Sequence, residues 1–427
     1  MASSIVAAVL LLSSFVASTE SIQKYQWSYD TTTAAIPFPT DLCAINAWPT
    51  EQPGAPYTAK LPDAELTAIL GEVDPVRIQA IIEKLASFGT RHTLSTQTDP
   101  VRGIGAARDW LTLLEQYKGF AEERSSDPER YVVVSASGVA ISMELAHAMA
   151  KHRTAATMIF AAVAGEEQGL YGSAYLARIF SIRLDNVEGM WKNDIVGSLI
   201  GDDGKNRSSI IRVFAQGLPT TKTATRASQR LSIGGENDSP ARQLGRFTRD
   251  VANNNVTGMS VELVYRADRY LRGGDHMPFL AAGYAAARFT EPREDFAHQR
   301  RDVQMMDNGT QYGDLSEFCD FYYISRVGKV TGAAAWSLAM APDVPKNVTV
   351  DTAGLTNDSS LKWVKVAGAA GYEIVWRPTS ERFWTHVIGV GEVSNATVRV
   401  SKDNMEFGVR SVGANGYRSL AVFPFPG

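Results

Sequence analysis

Short apolar runs alternate with amphipathic segments over most of the chain. The apolar runs are rich in β-branched or small residues, which is typical of strands buried on both faces of a parallel sheet. The predicted strands are Tyr131 to Ser135, Thr157 to Ala164, Met190 to Val196, Ile210 to Gln216, Val261 to Tyr265 and Ala285 to Thr290. The predicted helices are Ala64 to Leu70, Pro75 to Ser87, Ile104 to Glu122, Gly138 to His152, Ser173 to Ile182 and Leu315 to Ala339. This alternation predicts an α/β domain of three layers with a largely parallel central sheet, spanning residues 60–341.

The pattern changes after Met340 to Asn347, a Pro-containing segment that is typical of a linker. Beyond it, residues alternate between apolar and polar in LKWVKV, YEIVWR, THVIGV, ATVRV and FGVRSV, with turn residues between these segments. Such alternation predicts a C-terminal β-sandwich over residues 343–427, with a tight turn at Asn415-Gly416. The placement of Trp363, Tyr372 and VRSVGANGYRS resembles a fibronectin type III domain.

Two adjacent carboxylates follow the second predicted strand, in the sequence GEEQGLYGS from Gly165 to Ser173. Open α/β sheets bind their ligands at the carboxyl ends of the strands. One carboxylate of such a pair can bind a metal ion while its neighbour takes a proton from a metal-bound water. The alternative is an acidic loop that is simply solvated.

The longer sequence GEEQGLYGSAYLA resembles the di-zinc aminopeptidase-like metallopeptidases, a family that includes bacterial leucyl aminopeptidases and glutamate carboxypeptidase. The resemblance extends from about Phe88 to Ala341. It implies that Glu166 is the general base and that Glu167 is a zinc ligand. The domain of residues 60–341 is then a zinc metallopeptidase-like domain, with two zinc ions per chain in the family and a peptide or protein as substrate.

Further motifs extend this resemblance to the remaining ligands. Asp194 in MWKNDIVG matches a zinc-ligand Asp that ends a later strand, and His298 in EDFAHQRRDV matches the last zinc-ligand His of a His-x-x-x-Asp loop. Asp302 is the Asp of that loop. Asp275 and His276 in RGGDHMPF match a family loop that does not normally supply ligands, so these two and Asp302 are expected to support the ligands.

Two parts of the family pattern are absent. The family carries a His-x-Asp after an earlier strand and then an Asp that bridges both zinc ions, but here YVVVS continues directly through Ala136 into a predicted helix. A pair of family strands also has no match between Glu123 and Ser126. The remaining ligands fall below the three protein ligands of a catalytic zinc ion, so zinc binding is expected to be weak. Either this scaffold has lost its metal, or coding segments were skipped in the gene product.

Composition is compatible with an exported protein. The formal net charge of the 427 residues is −4, and no basic stripe points to nucleic acid. Residues 1–18 contain an apolar run, Ile5 to Ala17, that is too short to cross a membrane and matches a secretory signal peptide. No other run is long enough for a membrane span. Cys43 and Cys319 could pair, but two cysteines do not form a disulfide framework.

Asn-x-Ser/Thr triplets favour the same compartment, since each is a possible glycan site on an exported chain. The triplets begin at Asn206, Asn237, Asn255, Asn308, Asn347, Asn357 and Asn395. Three functions remain open: a secreted zinc metallopeptidase with aminopeptidase-like activity, a secreted binding glycoprotein on a peptidase scaffold that does not cleave, and a shortened product of a gene for an active enzyme.

Overall fold

A computed structural model describes residues 53–113, 127–136, 138–219, 223–299 and 302–427. The predicted signal peptide, Cys43 and the predicted helix beyond residue 113 lie outside these ranges. The described residues belong to one compact unit. Within the described ranges, no helix combines the length and the apolar character that a membrane crossing requires.

A six-stranded sheet forms the centre of the described chain, in the order β3-β2-β4-β7-β5-β6. Its strands are β2 (Asp127–Ala136), β3 (Ala156–Ala161), β4 (Asn186–Asn193), β5 (Ile210–Ala215), β6 (Ser260–Val264) and β7 (Ala286–Thr290). Strands β2, β3, β4 and β7 are parallel, whereas β5 runs antiparallel to β7 and parallel to β6. The largely parallel sheet predicted from the apolar runs is therefore confirmed.

Helices cover both faces of this sheet and bury its apolar strands on both sides. Val132, Val133 and Val134 in β2 are all fully buried, and they alternate between a large core and a smaller one. The helices are α1 (Ala64–Gly71), α2 (Pro75–Ser87), α3 (Gly103–Leu113), α4 (Val139–Met149), α5 (Tyr171–Arg183), α6 (Ala224–Ser232), α7 (Pro240–Ala252), α8 (His276–Ala281) and α9 (Phe321–Met340). Helices α1, α2, α4, α7 and α9 contribute to the large core, and α5 and α8 contribute to the smaller one.

The C-terminal residues, joined by Ala55–Pro56, form two four-stranded sheets, in the orders β1-β13-β12-β15 and β14-β11-β10-β16. The strands are β1 (Ala55–Pro56), β10 (Lys346–Val350), β11 (Ser359–Val364), β12 (Ala369–Pro378), β13 (His386–Gly391), β14 (Asn395–Val398), β15 (Met405–Gly413) and β16 (Phe425–Pro426). Trp363, Tyr372 and Trp376 are buried in a core shared by both sheets. A short hairpin, β8 (Gln304–Met305) with β9 (Gln311–Tyr312), lies elsewhere in the chain.

The C-terminal sheets are joined to the rest of the unit by partly buried polar contacts. The Tyr57 hydroxyl donates to Asp250 in α7 at 2.8 Å and accepts from Arg410 in β15 at 3.0 Å. The Tyr417 hydroxyl donates to Asp63, the residue that caps α1, at 2.7 Å. Specific side chains, and not apolar area alone, therefore connect the C-terminal sheets to the domain that contains the central sheet.

Asp238 is the most deeply buried charge in this connection, with none of its side chain exposed. One carboxylate oxygen lies 2.9 Å from Arg246 in α7, and the other lies 2.6 Å from Arg377 in β12. The two guanidinium groups also lie near the ring of Trp384, at 5.6 and 5.5 Å from its centroid. One carboxylate is therefore the shared counter-charge of two buried cations from different parts of the chain.

Two other buried carboxylates make stability depend on pH. Burial raises the pKa of Glu188 from its ordinary 4.5 to about 8, although Arg130 lies 2.9 Å away and opposes the shift. Burial together with Asp238 raises the pKa of Glu406 to about 7. Between pH 4.5 and these values the folded chain binds more protons than the unfolded chain, so each group makes the fold less stable as pH rises.

We expect the free energy of unfolding to fall from pH 6.5 to pH 8 by about 1 kcal/mol for each group, since one group contributes at most ~1.4 kcal/mol per pH unit. Urea unfolding at several pH values measures this slope. Glu188→Gln and Glu406→Gln should each flatten it. A wild-type stability that rises over this interval, or variants with the wild-type slope, would contradict the assignment.

Candidate active site

The residues singled out from the sequence follow strands that end at one edge of the sheet. Glu166 and Glu167 follow β3, Asp194 follows β4, and His298 lies in the segment after β7. Because these three strands belong to the parallel part of the sheet, their carboxyl ends share that edge.

The turn that carries Glu166 is fixed by its backbone. Gly165 has φ +76°, a conformation that side chains rarely adopt. The carbonyl of Glu166 accepts from the N–H groups of Gly169 at 3.2 Å and Leu170 at 3.0 Å. Helix α5 begins immediately afterwards, at Tyr171. The turn leaves the Glu166 side chain partly buried and the next residue, Glu167, exposed.

A buried lysine occupies the centre of this edge. Lys192 lies near the end of β4 with no exposed side-chain area, and its ammonium group contacts the carboxylate of Glu166. It also lies 3.0 Å from Asp194 and 3.7 Å from Asp275. Burial alone would lower the pKa of Lys192, but these carboxylates outweigh burial and raise it. Lys192 therefore stays charged and brings Glu166, Asp194 and Asp275 together; we call these four residues the Lys192 cluster.

A second cation reaches the same cluster from the neighbouring strand. The guanidinium group of Arg288 in β7 is fully buried and lies 2.8 Å from Asp194. Its other end lies 2.7 Å from Asp268, which also contacts Arg269 at 3.1 Å. The Asp194 carboxylate is thus already neutralised by Lys192 and Arg288.

His276 and Asp275 lie beside this network. His276 is fully buried, and its Nε2 donates to the carbonyl of Ala267 at 2.8 Å, while Nδ1 has no hydrogen-bond partner. Burial lowers the pKa of His276, although Asp268 opposes the shift. Burial raises the pKa of Asp275, against the effect of Lys192. The resemblance gave these two residues a supporting position, and the structure places Asp275 in direct contact with the central cation.

His298 and Asp302 are not part of the Lys192 cluster. The His298 ring stacks on Phe318 with 3.6 Å between ring centroids, and its Nδ1 lies 3.4 Å from Asp295. Asp302 is exposed. Over the described part of the chain, no three His, Cys, Asp or Glu side chains are gathered so that they could hold a metal ion. The roles assigned to Glu166, Glu167, Asp194 and His298 stay a prediction.

A cavity of about 280 Å³ lies next to this edge, where β2 passes into α4. Its walls include Gly138, Asn193, Ile195 and Cys319. The connection is short, since Gly138 donates its N–H to the carbonyl of Asn193 at 2.7 Å and α4 begins at the next residue. This is the junction at which the sequence lacks the family's His-x-Asp segment.

The chain is similar to several proteins named as probable zinc metalloproteases. It is 50% identical to a probable zinc metalloprotease of Pyricularia oryzae over 93% of this chain and 94% of the relative. It is 49% identical to another probable zinc metalloprotease, from Leptosphaeria maculans, over 86% of this chain and 98% of the relative. A solved structure, the Legionella pneumophila LapA aminopeptidase, is 14% identical with a TM-score of 0.45, over 69% of this chain and 80% of that chain.

These relatives define the class as zinc metallopeptidases. The family model for peptidase family M28 matches residues 135–317, and the chain belongs to this family. The stretch aligned with the Pyricularia relative has 473 positions, whereas this chain has 427 residues. The relative therefore contains residues within that stretch that have no counterpart here.

The residues present do not fit the zinc centre of the family. A catalytic zinc ion takes three protein ligands and a water molecule. Asp194 lies between two buried cations, and a divalent ion beside it would be repelled by Lys192 and Arg288. The cations were missed from the sequence, although a Lys within the apolar strand Met190 to Val196 is itself an unusual residue there.

Proposed function

We propose that this chain has the scaffold of a secreted, aminopeptidase-like zinc metallopeptidase, and that as written it binds zinc weakly and hydrolyses peptides poorly. The single observation that carries this proposal is the ammonium group of Lys192 among Glu166, Asp194 and Asp275. The relatives' names support the peptidase class. The absent His-x-Asp and bridging Asp agree with the low activity.

The contact between Lys192 and Glu166 bears on catalysis directly. A general base needs a lone pair free to take a proton from water. In this chain a carboxylate oxygen of Glu166 accepts from the Lys192 ammonium group instead. Pairing with an ammonium group makes Glu166 a weaker base, and without a metal-bound water it has no acidified proton to remove, so its replacement should change little.

We expect the purified chain, supplied with zinc, to turn over an aminoacyl chromogenic substrate no faster than its Glu166→Gln variant does. The Pyricularia relative is the positive control, because it is 50% identical and is named a probable zinc metalloprotease. Two bound zinc ions per chain, with turnover abolished by Glu166→Gln, would overturn the proposal. Replacement ligands would then be sought first among Asp275, His276 and Asp302.

Secretion is supported by the sequons. Each of the seven sequon asparagines is exposed, as a glycan acceptor must be. The signal peptide, the glycans and the fibronectin type III assignment of residues 343–427 stay predictions.

The alternative function is a secreted binding glycoprotein that does not cleave. It is favoured by the same ion pairs, since Lys192 and Arg288 already pair with the carboxylates of this cluster without a metal. Genomic DNA between the codons for Ser135 and Ala136 distinguishes this alternative from a shortened gene product. An in-frame segment there that encodes His-x-Asp and the bridging Asp would identify the shortened product.

A further inference from the structure

A cavity of about 480 Å³ lies where the C-terminal sheets meet the domain that contains the central sheet. Its walls come from the beginning of β4, from helices α6 and α7, and from residues 343–348 and 420–425. Lys192 lies near the other end of β4, so this cavity is separate from the candidate active site. Small-molecule sites commonly lie at domain junctions and have volumes of roughly 300–1,000 Å³. The cavity has the position and the size of such a site.

The carboxylates that line this cavity already have cations as partners. The pairs are Glu188 with Arg130 at 2.9 Å, Asp343 with Lys346 at 2.7 Å, and Asp238 with Arg246 and Arg377 at 2.9 and 2.6 Å. A cationic ligand would have to compete with these partners for the carboxylates. The acidic part of the lining therefore does not favour a cation.

Two arginines, Arg226 and Arg230, line the cavity without a carboxylate partner. Arg230 is 6% exposed, and it donates from Nη1 to the carbonyls of Gly235 at 3.0 Å and Asp238 at 3.1 Å. Arg226, one turn earlier in α6, is exposed and donates to the side chain of Gln229. Within the described ranges, neither guanidinium group has a carboxylate oxygen within 4.0 Å. Their positive charge is therefore available to an anion.

The pKa of Arg230 agrees with this shortage of negative charge. Burial lowers it, with Asp238 opposing the shift and Arg226 adding to it. A buried cation without a paired anion is unfavourable, and an anion bound beside it would relieve that cost.

Gln243 adds a hydrogen-bond acceptor to the same cavity. Its Nε2 donates to Asp238 at 2.8 Å, which fixes the orientation of the amide because a carboxylate only accepts. Its Oε1 is buried and has no hydrogen-bond partner among the described residues. A buried acceptor without a donor costs stability. An N–H or O–H group of a ligand would satisfy it.

Apolar side chains form much of the remaining wall, among them Leu420, Phe423 and Phe425. The ring of Phe425 lies beneath both arginines, with its centroid 3.2 Å from the guanidinium carbon of Arg226 and 4.8 Å from that of Arg230. Apolar walls with a few polar groups are typical of sites for organic ligands. An inorganic anion would leave these walls unused.

We propose that this cavity binds a small organic acid through Arg226 and Arg230. A guanidinium group matches a carboxylate with two parallel N–H donors. Gln243 Oε1 accepts from an N–H or O–H group of the same ligand, and Phe423 and Phe425 pack against its apolar part. This inference concerns binding alone and does not depend on the proposed function.

Calorimetric titration of the full chain with N-acetyl-L-leucine tests the site, because this probe has a carboxylate, an N–H group and an apolar side chain. We expect saturable binding of one molecule per chain. N-acetyl-L-leucinamide lacks the carboxylate and should bind about tenfold more weakly or worse, and 4-methylpentanoate lacks the N–H group and should bind about threefold more weakly. Inorganic phosphate should also bind more weakly than N-acetyl-L-leucine, because it cannot use the apolar walls.

Two variants test the arginines. Arg230→Gln should weaken the binding of N-acetyl-L-leucine about tenfold or more, and thermal unfolding checks that this buried substitution leaves the chain folded. Arg226→Gln changes an exposed residue and should weaken binding about threefold, so it tests the site even where the Arg230 variant does not fold. Arg266→Gln is the matched control, since Arg266 is an exposed arginine 5.2 Å from the ring of Tyr270 and outside the cavity.

The control variant should bind N-acetyl-L-leucine as the wild-type chain does. The proposal is wrong if N-acetyl-L-leucine shows no saturable binding, or if its amide or inorganic phosphate binds as tightly. Binding that Arg226→Gln leaves unchanged, or that Arg266→Gln weakens equally, would also overturn it.

Discussion

Replacing Asp238 by Asn is expected to lower the free energy of unfolding by about 3 to 5 kcal/mol, the cost of breaking a buried ion pair by removing one partner. The substitution preserves size and leaves Arg246 and Arg377 without their common counter-charge. Both guanidinium groups are almost fully buried, so water cannot replace the lost carboxylate. Urea unfolding at constant pH measures the loss.

A matched control is available on the surface. Asp203 lies 2.7 Å from Arg207, a distance similar to those in the Asp238 pairs, but both side chains are partly exposed. Asp203→Asn should cost no more than about 1 kcal/mol, as is usual for surface ion pairs. If both variants lose the same stability, burial does not give Asp238 its importance.

Replacing Lys192 by Gln is expected to have two large effects of opposite sign. Without zinc, Glu166, Asp194 and Asp275 lose their central counter-charge, and the chain should lose about 3 to 5 kcal/mol of stability. With zinc, the freed carboxylates should bind the ion at least about tenfold more tightly than in the wild-type chain, because such oxygens are zinc ligands. Calorimetric zinc titration and thermal unfolding with and without zinc measure both effects.

Lys365→Gln is the control, since Lys365 is an exposed lysine that also contacts a carboxylate, that of Glu392. It should change neither stability nor zinc affinity. An unchanged zinc affinity in the Lys192 variant would show that Lys192 does not exclude the metal. The dominant barrier would then be the missing ligand segment.

The strands could be located because buried strands leave a strong apolar signal, but their ends could not: Met190 to Val196 was expected where β4 spans Asn186–Asn193. The prediction of Val261 to Tyr265 differs by one residue at each end from β6. Helix α9 was predicted to begin at Leu315, which is wrong, because residues 316–318 form a separate 3₁₀ turn and Asp320 caps the helix by accepting from the N–H of Tyr323. Asp is a typical capping residue, but the apolar pattern continues across Asp320, so the pattern alone does not place the start of the helix there.

Pairings between distant residues could not be predicted. Strand β1 has two residues and no periodic pattern, and its place beside β13 depends on a partner more than 300 residues away. The contacts of the candidate active site also depend on which strands are neighbours, and the sequence does not give that order. The sequence places Glu166 and Asp194 at strand ends, but only the sheet order brings them to Lys192 and Arg288.

Strand β1 also has a consequence for synthesis on the ribosome. Ala55 pairs with Val387, and the carbonyl of Pro53 accepts from the indole N–H of Trp376 at 3.0 Å. This strand, the first of the described residues, must therefore wait unpaired until β13 has been made. Vectorial folding can complete the central sheet first, but residues 53–56 reach their places in the C-terminal sandwich only after β12 and β13 have been made.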